Sequence, residues 1–298
     1  MADISRAEVA SLIAEEYANT LLSSAAASST ALSAFPTVSM GTKTTHLPVL
    51  ATLPEADWVS ETEAKPTSQV TWENKTLVAE EIAVILPVHE NVLDDASVSI
   101  LDELAALGGS AIGKKLDQAV LFGTDKPASW TSAALVPAAT AAGNTVANVD
   151  GVANASDLYG AVTKVAGQVA SDGFIPSSLL TSLALRYKMA NIRNADGNLA
   201  FQGESFGGFT THFNANGAWD ATAAEAIVVD PSRVRIGVRQ DITVKFLDQA
   251  TVGDINLAER DMVALRIKAR YAYVLGNSAT ALAATGSPVG VVTPDVTP

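Results

Sequence analysis

Cysteine is absent from this sequence of 298 residues. The chain can therefore form no disulfide bridge, no thiolate metal site and no cysteine nucleophile. Aromatic residues are also few, at 6% of the chain, although 48% of it is hydrophobic. The composition is that of a globular protein whose core consists mainly of alanine, valine, leucine and isoleucine.

Basic residues are scarce, and 19 lysines and arginines against 32 aspartates and glutamates give a formal net charge of −13. Residues 1–103 hold 16 acidic and 4 basic residues, whereas residues 233–270 hold 8 basic and 5 acidic ones. This segregation is typical of ordinary solvated surface, or of an acidic front that meets the basic strands of another copy. A DNA-binding role for the whole chain is not expected, because affinity for duplex DNA comes largely from cationic side chains.

No apolar run is long enough to span a membrane. Residues 17–35 look superficially like a signal peptide, but Glu8, Glu15 and Glu16 precede them where such a peptide carries basic residues. Apolar residues at helical spacing over residues 3–22 instead predict a helix, which runs into a pliable connector rich in alanine, serine and threonine.

Catalytic and ligand-binding motifs are scarce as well. Residues 203–207 match the G-x-S-x-G pattern of serine hydrolases, but strand-like residues follow Ser205 where the nucleophile elbow needs a helix. The last histidine, His212, follows too closely to complete a triad, and the three histidines form no metal-binding pair. We therefore expect no enzyme activity, no cofactor and no metal site, and keep a serine esterase using Ser205 as a distant alternative.

The segment from residue 54 to 123 is the most informative part of the chain. Trp58 and Trp72 bracket a polar stretch that predicts a hairpin arm, with its turn near residues 64–67. An apolar strand is predicted over residues 76–88. Because an isolated two-stranded ribbon is marginal in water, the arm is expected to lie on another copy of the protein.

A long helix is predicted from Asp95 to Phe122. Asp94 and Asp95 have the chemistry of an N-cap, and Gly123 is suited to end the helix. Gly108 and Gly109 predict a bend or a close helix contact. The apolar face of this helix comprises Leu101, Leu104, Ala105, Ile112, Leu116, Ala119 and Val120.

The rest of the chain alternates between helical and extended patterns. Helices are predicted over residues 157–171 and from Pro176, the latter with Leu179, Leu180, Leu183 and Tyr187 on its inner side. Residues 226–229 predict a buried strand, residues 233–247 a hairpin, and the tail after Gly276 a surface segment. Residues 262–274 predict a half-buried strand with Leu265, Ile267, Ala269, Tyr271 and Tyr273 on one face and Arg266, Lys268 and Arg270 on the other.

The order of these parts resembles the phage major capsid proteins of the HK97-like fold. In that family a helix ending in a D-x-A-x-L-x-G pattern forms the spine of the peripheral domain, and the final strands pack beside it. Residues 234–250 and 262–275 look like those final strands. The helix pattern falls here on Asp117, Ala119, Leu121 and Gly123.

The resemblance implies an α+β fold with an N-terminal arm, an extended hairpin loop, a peripheral domain containing the long spine helix, and an axial domain. On this chain it implies an N-terminal helix and arm at 1–37, an extended strand and hairpin loop at 38–76, a peripheral domain at 77–127 and 233–276, an axial domain at 128–232, and a C-terminal tail at 277–298.

The resemblance also implies a function. Many copies would self-assemble as pentamers and hexamers into an icosahedral virion shell that encloses double-stranded DNA without sequence-specific binding. Assembly would take place in the host cytoplasm, without a membrane, and with separate scaffolding, portal and decoration proteins. An encapsulin-like compartment enclosing protein cargo is the alternative. Some relatives join subunits through a Lys–Asn isopeptide bond, which for Lys65 and Asn277 is left open.

The predicted interface lies on the hairpin arm and on the last strand. We expect the arm of one subunit to lie across the peripheral domain of the next, where acidic side chains meet the basic strand face. The predicted interface residues are Trp58, Glu61, Glu63, Lys65 and Trp72 on the arm, and Arg266, Lys268 and Arg270 on the strand.

Overall fold

The computed structural model describes residues 28–54, 56–59, 64–65, 67–95, 100–148, 158–190, 192, 201–202, 205–276, 280, 282–283 and 286–294. The helix predicted over residues 3–22 and the interface residues Glu61 and Glu63 lie outside this part of the chain.

Strands and helices are numbered in chain order. The strands are β1 Thr37–Met40, β2 Thr44–Thr52, β3 Thr71–Val78, β4 Glu80–His89, β5 Thr145–Ala147, β6 Ser178–Ser182, β7 Phe201–Gln202, β8 Ser205–Phe206, β9 Phe209–Asn214, β10 Ala226–Val229, β11 Val234–Leu247, β12 Thr251–Val252, β13 Ile255–Asn256, β14 Met262–Leu275 and β15 Val289–Thr293. The α-helices are α1 Thr30–Ala34, α2 Glu90–Asp95, α3 Ile100–Asp117, α4 Leu135–Ala142, α5 Leu158–Ser171 and α6 Leu183–Ala190.

A four-stranded sheet has the order β1-β11-β14-β4, in which β1 runs parallel to β11 and the other pairs are antiparallel. The alternation predicted over residues 262–274 is confirmed, because alternate side chains of β14 point into the core. The buried set is Leu265, Ile267, Ala269, Tyr271 and Tyr273, and the half-buried set on the opposite face is Arg266, Lys268 and Arg270.

Helix α3 covers the apolar face of this sheet. Ala105, Ile112 and Leu116 are buried along it, as the apolar spacing predicts. At Gly108 a methyl group would collide with Ile267 of β14. The predicted close contact is therefore with a strand rather than with another helix.

The ends of the long helix differ from each other in how well the sequence predicts them. At the C-terminal end a π-helical turn, Gln118–Phe122, continues α3 and stops at Gly123, whose φ of 78° lies in the left-handed region. That predicted stop is confirmed. The N-cap prediction for Asp94 and Asp95 is wrong, because both belong to α2, a short helix that directly follows β4.

A second sheet of seven strands has the order β5-β15-β10-β6-β9-β8-β7. Helix α5, predicted over residues 157–171, forms over 158–171 and packs on β15 and β10. The strand predicted over residues 226–229 is β10, and all four of its residues are buried. Both sheets contribute to one continuous core, in which Leu180 and Val291 of this sheet join Ile267 and Tyr271 of the other.

Three sequence predictions about the two sheets fail. The helix expected from Pro176 is β6 followed by α6, and Leu183 and Tyr187 are exposed rather than inward-facing. Apolar runs of this length do not distinguish a buried strand from a helix, and β6 gains hydrogen-bonded neighbours on both sides.

The other two failures concern β11 and the chain after Gly276. The hairpin predicted over residues 233–247 is instead a single strand, with a break in register between Arg239 and Thr243. The tail does not stay on the surface: β15 pairs with β10 and β5, and Val289, Val291 and Val292 are fully buried.

Candidate inter-subunit surfaces

The hairpin arm is a two-stranded ribbon formed by β2 and β3. Its pairing runs from Thr44 opposite Val78 to Thr52 opposite Thr71, so residues 53–70 connect the two strands. The predicted arm, bracketed by Trp58 and Trp72, was therefore misplaced along the chain. Trp72 lies in β3 opposite Leu50, and Trp58 lies in the connection.

The base of the ribbon is anchored in its own subunit. Leu77 is fully buried and packs with Leu47 and Met40 against Ala272 and Val274 of β14. These two β14 residues lie on the sheet face opposite α3, which we call the outer face. The ribbon base thus covers one end of the outer face.

The far half of the ribbon has no such support. Trp58 is fully exposed, and 67% of Trp72 is exposed. A cleft of about 870 Å³ lies between this part of the ribbon, including Leu50 and residues 73–76, and the body at α4 and residues 131–133. Large exposed aromatic side chains on a projecting element mark a surface that associates with something else.

A column of basic side chains runs along the remaining outer face. It consists of Arg266, Lys268 and Arg270 of β14 and of Arg239 and Lys245 of β11. Two cross-strand pairs place like charges directly opposite each other, Arg239 with Arg270 and Lys245 with Arg266. Like charges in this position destabilise a sheet, so the column is not explained by the folding of the subunit.

Glu81 of β4 is an acidic partner of two members of this column. Its carboxylate lies 3.5 Å from Lys268 and 3.3 Å from Arg270. The Nε of Arg266 is buried without a hydrogen-bond partner there, and Lys245 forms no ion pair among the described residues. One carboxylate is thus shared by Lys268 and Arg270.

The predicted interface residues therefore fall into two places. Arg266, Lys268 and Arg270 lie together on the outer face, while Trp58, Lys65 and Trp72 are exposed on the ribbon. Sequence reasoning missed Glu81, Arg239 and Lys245. The alternation of residues 80–89 and 234–247 shows which side chains of each strand share a face of that strand. Only the register with β14 shows that these three residues lie on the same face of the sheet as the basic column.

Ser205 lies in a setting unlike that of a nucleophile elbow. It belongs to β8, and Gly207 and Gly208, both with positive φ, turn the chain directly into β9. An elbow requires a strand followed by a helix. Here the motif is a tight β-hairpin, and His212 lies within β9.

Neither a metal-binding cluster nor a membrane-spanning helix occurs in the described part of the chain. No group of three or more histidine, aspartate or glutamate side chains there could hold a metal ion. Among the helices of that same part, none has the length and apolar character needed to cross a membrane.

Known proteins resemble this chain over most of its length. Residues 10–284 match the Phage capsid family. A solved structure from Mycobacterium phage Cain is 68% identical over 100% of both chains, with a TM-score of 0.83. One from Microbacterium phage Oxtober96 is 40% identical over 90% of this chain and 91% of that one, with a TM-score of 0.79. No curated protein matches the chain.

More distant structures share the fold alone. The one described as "Capsid of empty GTA particle computed with C5 symmetry" is 17% identical over 89% of each chain, with a TM-score of 0.62. The spine-helix pattern, the two sheets and the projecting ribbon agree with these matches. The chain belongs to the phage capsid family, and it is a major capsid protein of a tailed phage with the HK97-like α+β fold.

Proposed function

We propose that many copies of this protein self-assemble as pentamers and hexamers into a closed icosahedral shell around double-stranded DNA, and that the ribbon of each subunit clasps the outer face of the next. The observation that carries the clasp is the far half of the ribbon, which presents Trp58 and Trp72 to solvent and stands off its own subunit across a cleft of about 870 Å³. Two large aromatic side chains are typical anchors of a protein interface.

Charge supports the same arrangement. The basic column on the outer face contains two cross-strand pairs of like charge, Arg239 with Arg270 and Lys245 with Arg266. The ribbon connection carries Glu55, Asp57, Glu61 and Glu63 against the single base Lys65. Seating this acidic connection on the neighbouring column would relieve the repulsion between like charges, and would give the contact its register.

The two sheets then serve as the two domains of the shell subunit. The four-stranded sheet with α3 corresponds to the peripheral domain, and the seven-stranded sheet to the axial domain around the symmetry axes. Strand β15 belongs to the axial sheet in this proposal, rather than to a separate tail.

The enclosed DNA is held by confinement and not by sequence-specific contacts. A net charge of −13 disfavours tight binding to phosphates, which would hinder packing. Separate scaffolding, portal and decoration proteins complete the particle, which is assembled in the host cytoplasm.

Removal of the ribbon connection tests the clasp. Deletion of residues 59–70 should give a folded, soluble subunit that forms no shells in electron micrographs, and light scattering should report small species. A control variant with the same residues replaced by glycine and serine keeps the length of the connection but lacks its side chains, and it should fail in the same way. Normal shells from both variants would refute the clasp.

The content of the particles separates the proposed shell from a protein compartment. Particles purified from infected cells should absorb ultraviolet light in the ratio typical of nucleic acid rather than of protein. Their interiors should exclude negative stain. Particles filled with protein and free of DNA would favour the encapsulin-like alternative.

A further inference from the structure

One buried carboxylate, that of Asp117, binds residues 29–31 of the N-terminal arm. Asp117 is fully buried at the end of α3, where the π-helical turn begins. Its Oδ1 accepts hydrogen bonds from Ser29 Oγ at 2.6 Å and from the amide of Ala31 at 3.0 Å. Its Oδ2 accepts one from the amide of Thr30 at 2.9 Å. Three consecutive residues of the arm thus donate hydrogen bonds to one side chain.

Two asparagines at the end of β9 complete the cluster. The Nδ2 of Asn214 lies 3.0 Å from Asp117 Oδ2 and 2.9 Å from Thr30 Oγ1. The Nδ2 of Asn216 lies 2.7 Å from the same Oδ2 and 2.9 Å from the carbonyl oxygen of Ser28. Each amide therefore contacts both the carboxylate and the arm.

The cluster sits where three parts of the subunit meet. Helix α1 continues through the buried Phe35 into β1, an edge strand of the four-stranded sheet. Helix α3 covers that sheet, and β9 belongs to the seven-stranded sheet. The contacts of Asp117 consequently tie the arm, the spine helix and the second sheet to one point.

A buried carboxylate is an inefficient way to stabilise a fold. Burial raises the pKa of Asp117, while hydrogen bonds from Ser29, from the amides of Ala31 and Thr30 and from Asn216 act in the opposite direction. Well-packed apolar residues often stabilise such a site as well or better. Asp117 is a charged residue at a core position, where apolar residues are the rule, and both of its carboxylate oxygens accept hydrogen bonds. Such a residue is typical of a group that fixes the positions of neighbouring segments rather than one that adds stability.

We propose that Asp117 is a latch, which fastens residues 28–31 to the junction of the two sheets and so holds the angle between the sheets constant while subunits assemble. A shell subunit that transmits a fixed angle between its two sheets also sets the curvature of the shell. The part of this inference that concerns curvature rests on the proposed shell function, whereas the latch itself is a property of the single subunit.

Hydrogen exchange of unassembled subunits tests the latch. Asp117→Asn keeps the size of the side chain but replaces one accepting oxygen with an NH2 group that faces hydrogen-bond donors. We expect amides in a peptide spanning residues 28–36 to exchange at least about tenfold faster, and those in a peptide spanning β10 to be accelerated by a clearly smaller factor. Equal acceleration in both peptides, or none in the first, would overturn the proposal, because Asp117 would then act only on global stability or not at all.

Asn216→Ala provides a gentler version if Asp117→Asn fails to fold. It removes one bridging amide from a half-buried position and should accelerate exchange in the same peptide by a smaller factor. The matched control is Ser33→Ala, which removes a hydrogen bond to the carbonyl of Thr30 within α1 and leaves the carboxylate untouched. The control should exchange like the wild type over residues 28–31.

Electron microscopy of particles tests the consequence for assembly. Latch variants should form shells with a broader range of diameters, or open sheets, at concentrations where the wild type forms uniform shells. Locally accelerated exchange together with uniform wild-type shells would refute the link between the latch and the angle. Failure of the wild type itself to form shells would refute the proposed function and leave the exchange result standing.

Discussion

The Asp117 cluster is buried, whereas the far half of the ribbon exposes its largest side chains to solvent. Around Asp117 both carboxylate oxygens find donors inside the subunit. On the ribbon, Trp58 and Trp72 leave large apolar surfaces in water above an open cleft. The carboxylate of the first region is satisfied within a single chain, whereas in the proposed clasp the second region gains its contacts from another chain. Stability and assembly should therefore respond to different substitutions.

The strongest expected effect on the subunit alone comes from Asp117→Ala. Five hydrogen-bond donors would lose their acceptor in a buried site, and we expect a loss of about 3 to 5 kcal/mol in the free energy of unfolding. Urea denaturation of unassembled protein measures it. Asp220 is the matched control, because its carboxylate is exposed and accepts its hydrogen bonds from Thr222 and Ala223 of its own turn. Asp220→Ala should lower the free energy by less than about 1 kcal/mol. Similar losses for both would erase the distinction between the two regions.

Next in size is Gly108→Val on the spine helix. The added side chain would collide with Ile267 in a packed core, and about 1 to 3 kcal/mol of stability should be lost. Gly41 offers the comparison, since a methyl group there meets no atom within 4 Å. Gly41→Ala should leave the melting temperature unchanged or raise it slightly. A tolerated Gly108→Val would mean that α3 can move away from the sheet.

Replacement of both ribbon tryptophans, Trp58 and Trp72, by serine should affect assembly strongly and the stability of the subunit hardly at all. The unfolding free energy of the subunit should change by less than about 0.5 kcal/mol, because both side chains are exposed. The concentration needed for assembly should nevertheless rise at least about tenfold, as removal of interface anchors implies. Light scattering against protein concentration measures this shift.

The buried Trp130 is the opposite control for the ribbon tryptophans. Its Nε1 donates to the carbonyl of Val78 at 2.9 Å, and its ring packs in the shared core. Trp130→Ser should lower the free energy of unfolding by about 3 kcal/mol rather than spare it. If the ribbon variant melts as early as the Trp130 variant, the far half of the ribbon is not the independent surface described above.

The smallest effect on stability is expected from Lys245→Ala. Removing the like charge opposite Arg266 should stabilise the isolated subunit by a few tenths of a kcal/mol. Assembly should weaken at the same time, and lose part of its sensitivity to salt, because one cation no longer meets the acidic connection. Thr243→Ala, on the same strand face, should change neither quantity. Unchanged salt dependence in the lysine variant would argue against the basic column as a partner surface.

Periodicity predicted the elements whose packing is repetitive. The inward face of α3, the alternation of β14 and the stop at Gly123 all follow from local spacing, and the structure confirms them. The first two patterns extend over three turns or more, or over a whole strand, so a single ambiguous residue does not change the outcome. The stop depends on one glycine, whose left-handed φ other residues rarely adopt.

Pairing and register could not be predicted in the same way. The run that forms β6 is too short to separate strand from helix, and β15 is recognisable only through its partners β10 and β5. The position of the ribbon depended on which residues pair across it, and the acid that meets Lys268 and Arg270 became evident only from the register of β4 with β14. Contacts distant in sequence leave no local signal.

The position of β15 also bears on how the chain is made. This strand lies between β5 and β10, and it is the last strand in chain order among the described residues. A nascent chain on the ribosome cannot close its second sheet until residue 293 has left the exit tunnel, although α3, β11 and β14 emerge earlier. Synthesis itself therefore delays completion of the subunit, and until it is complete the facing edges of β5 and β10 remain without the strand that pairs with both.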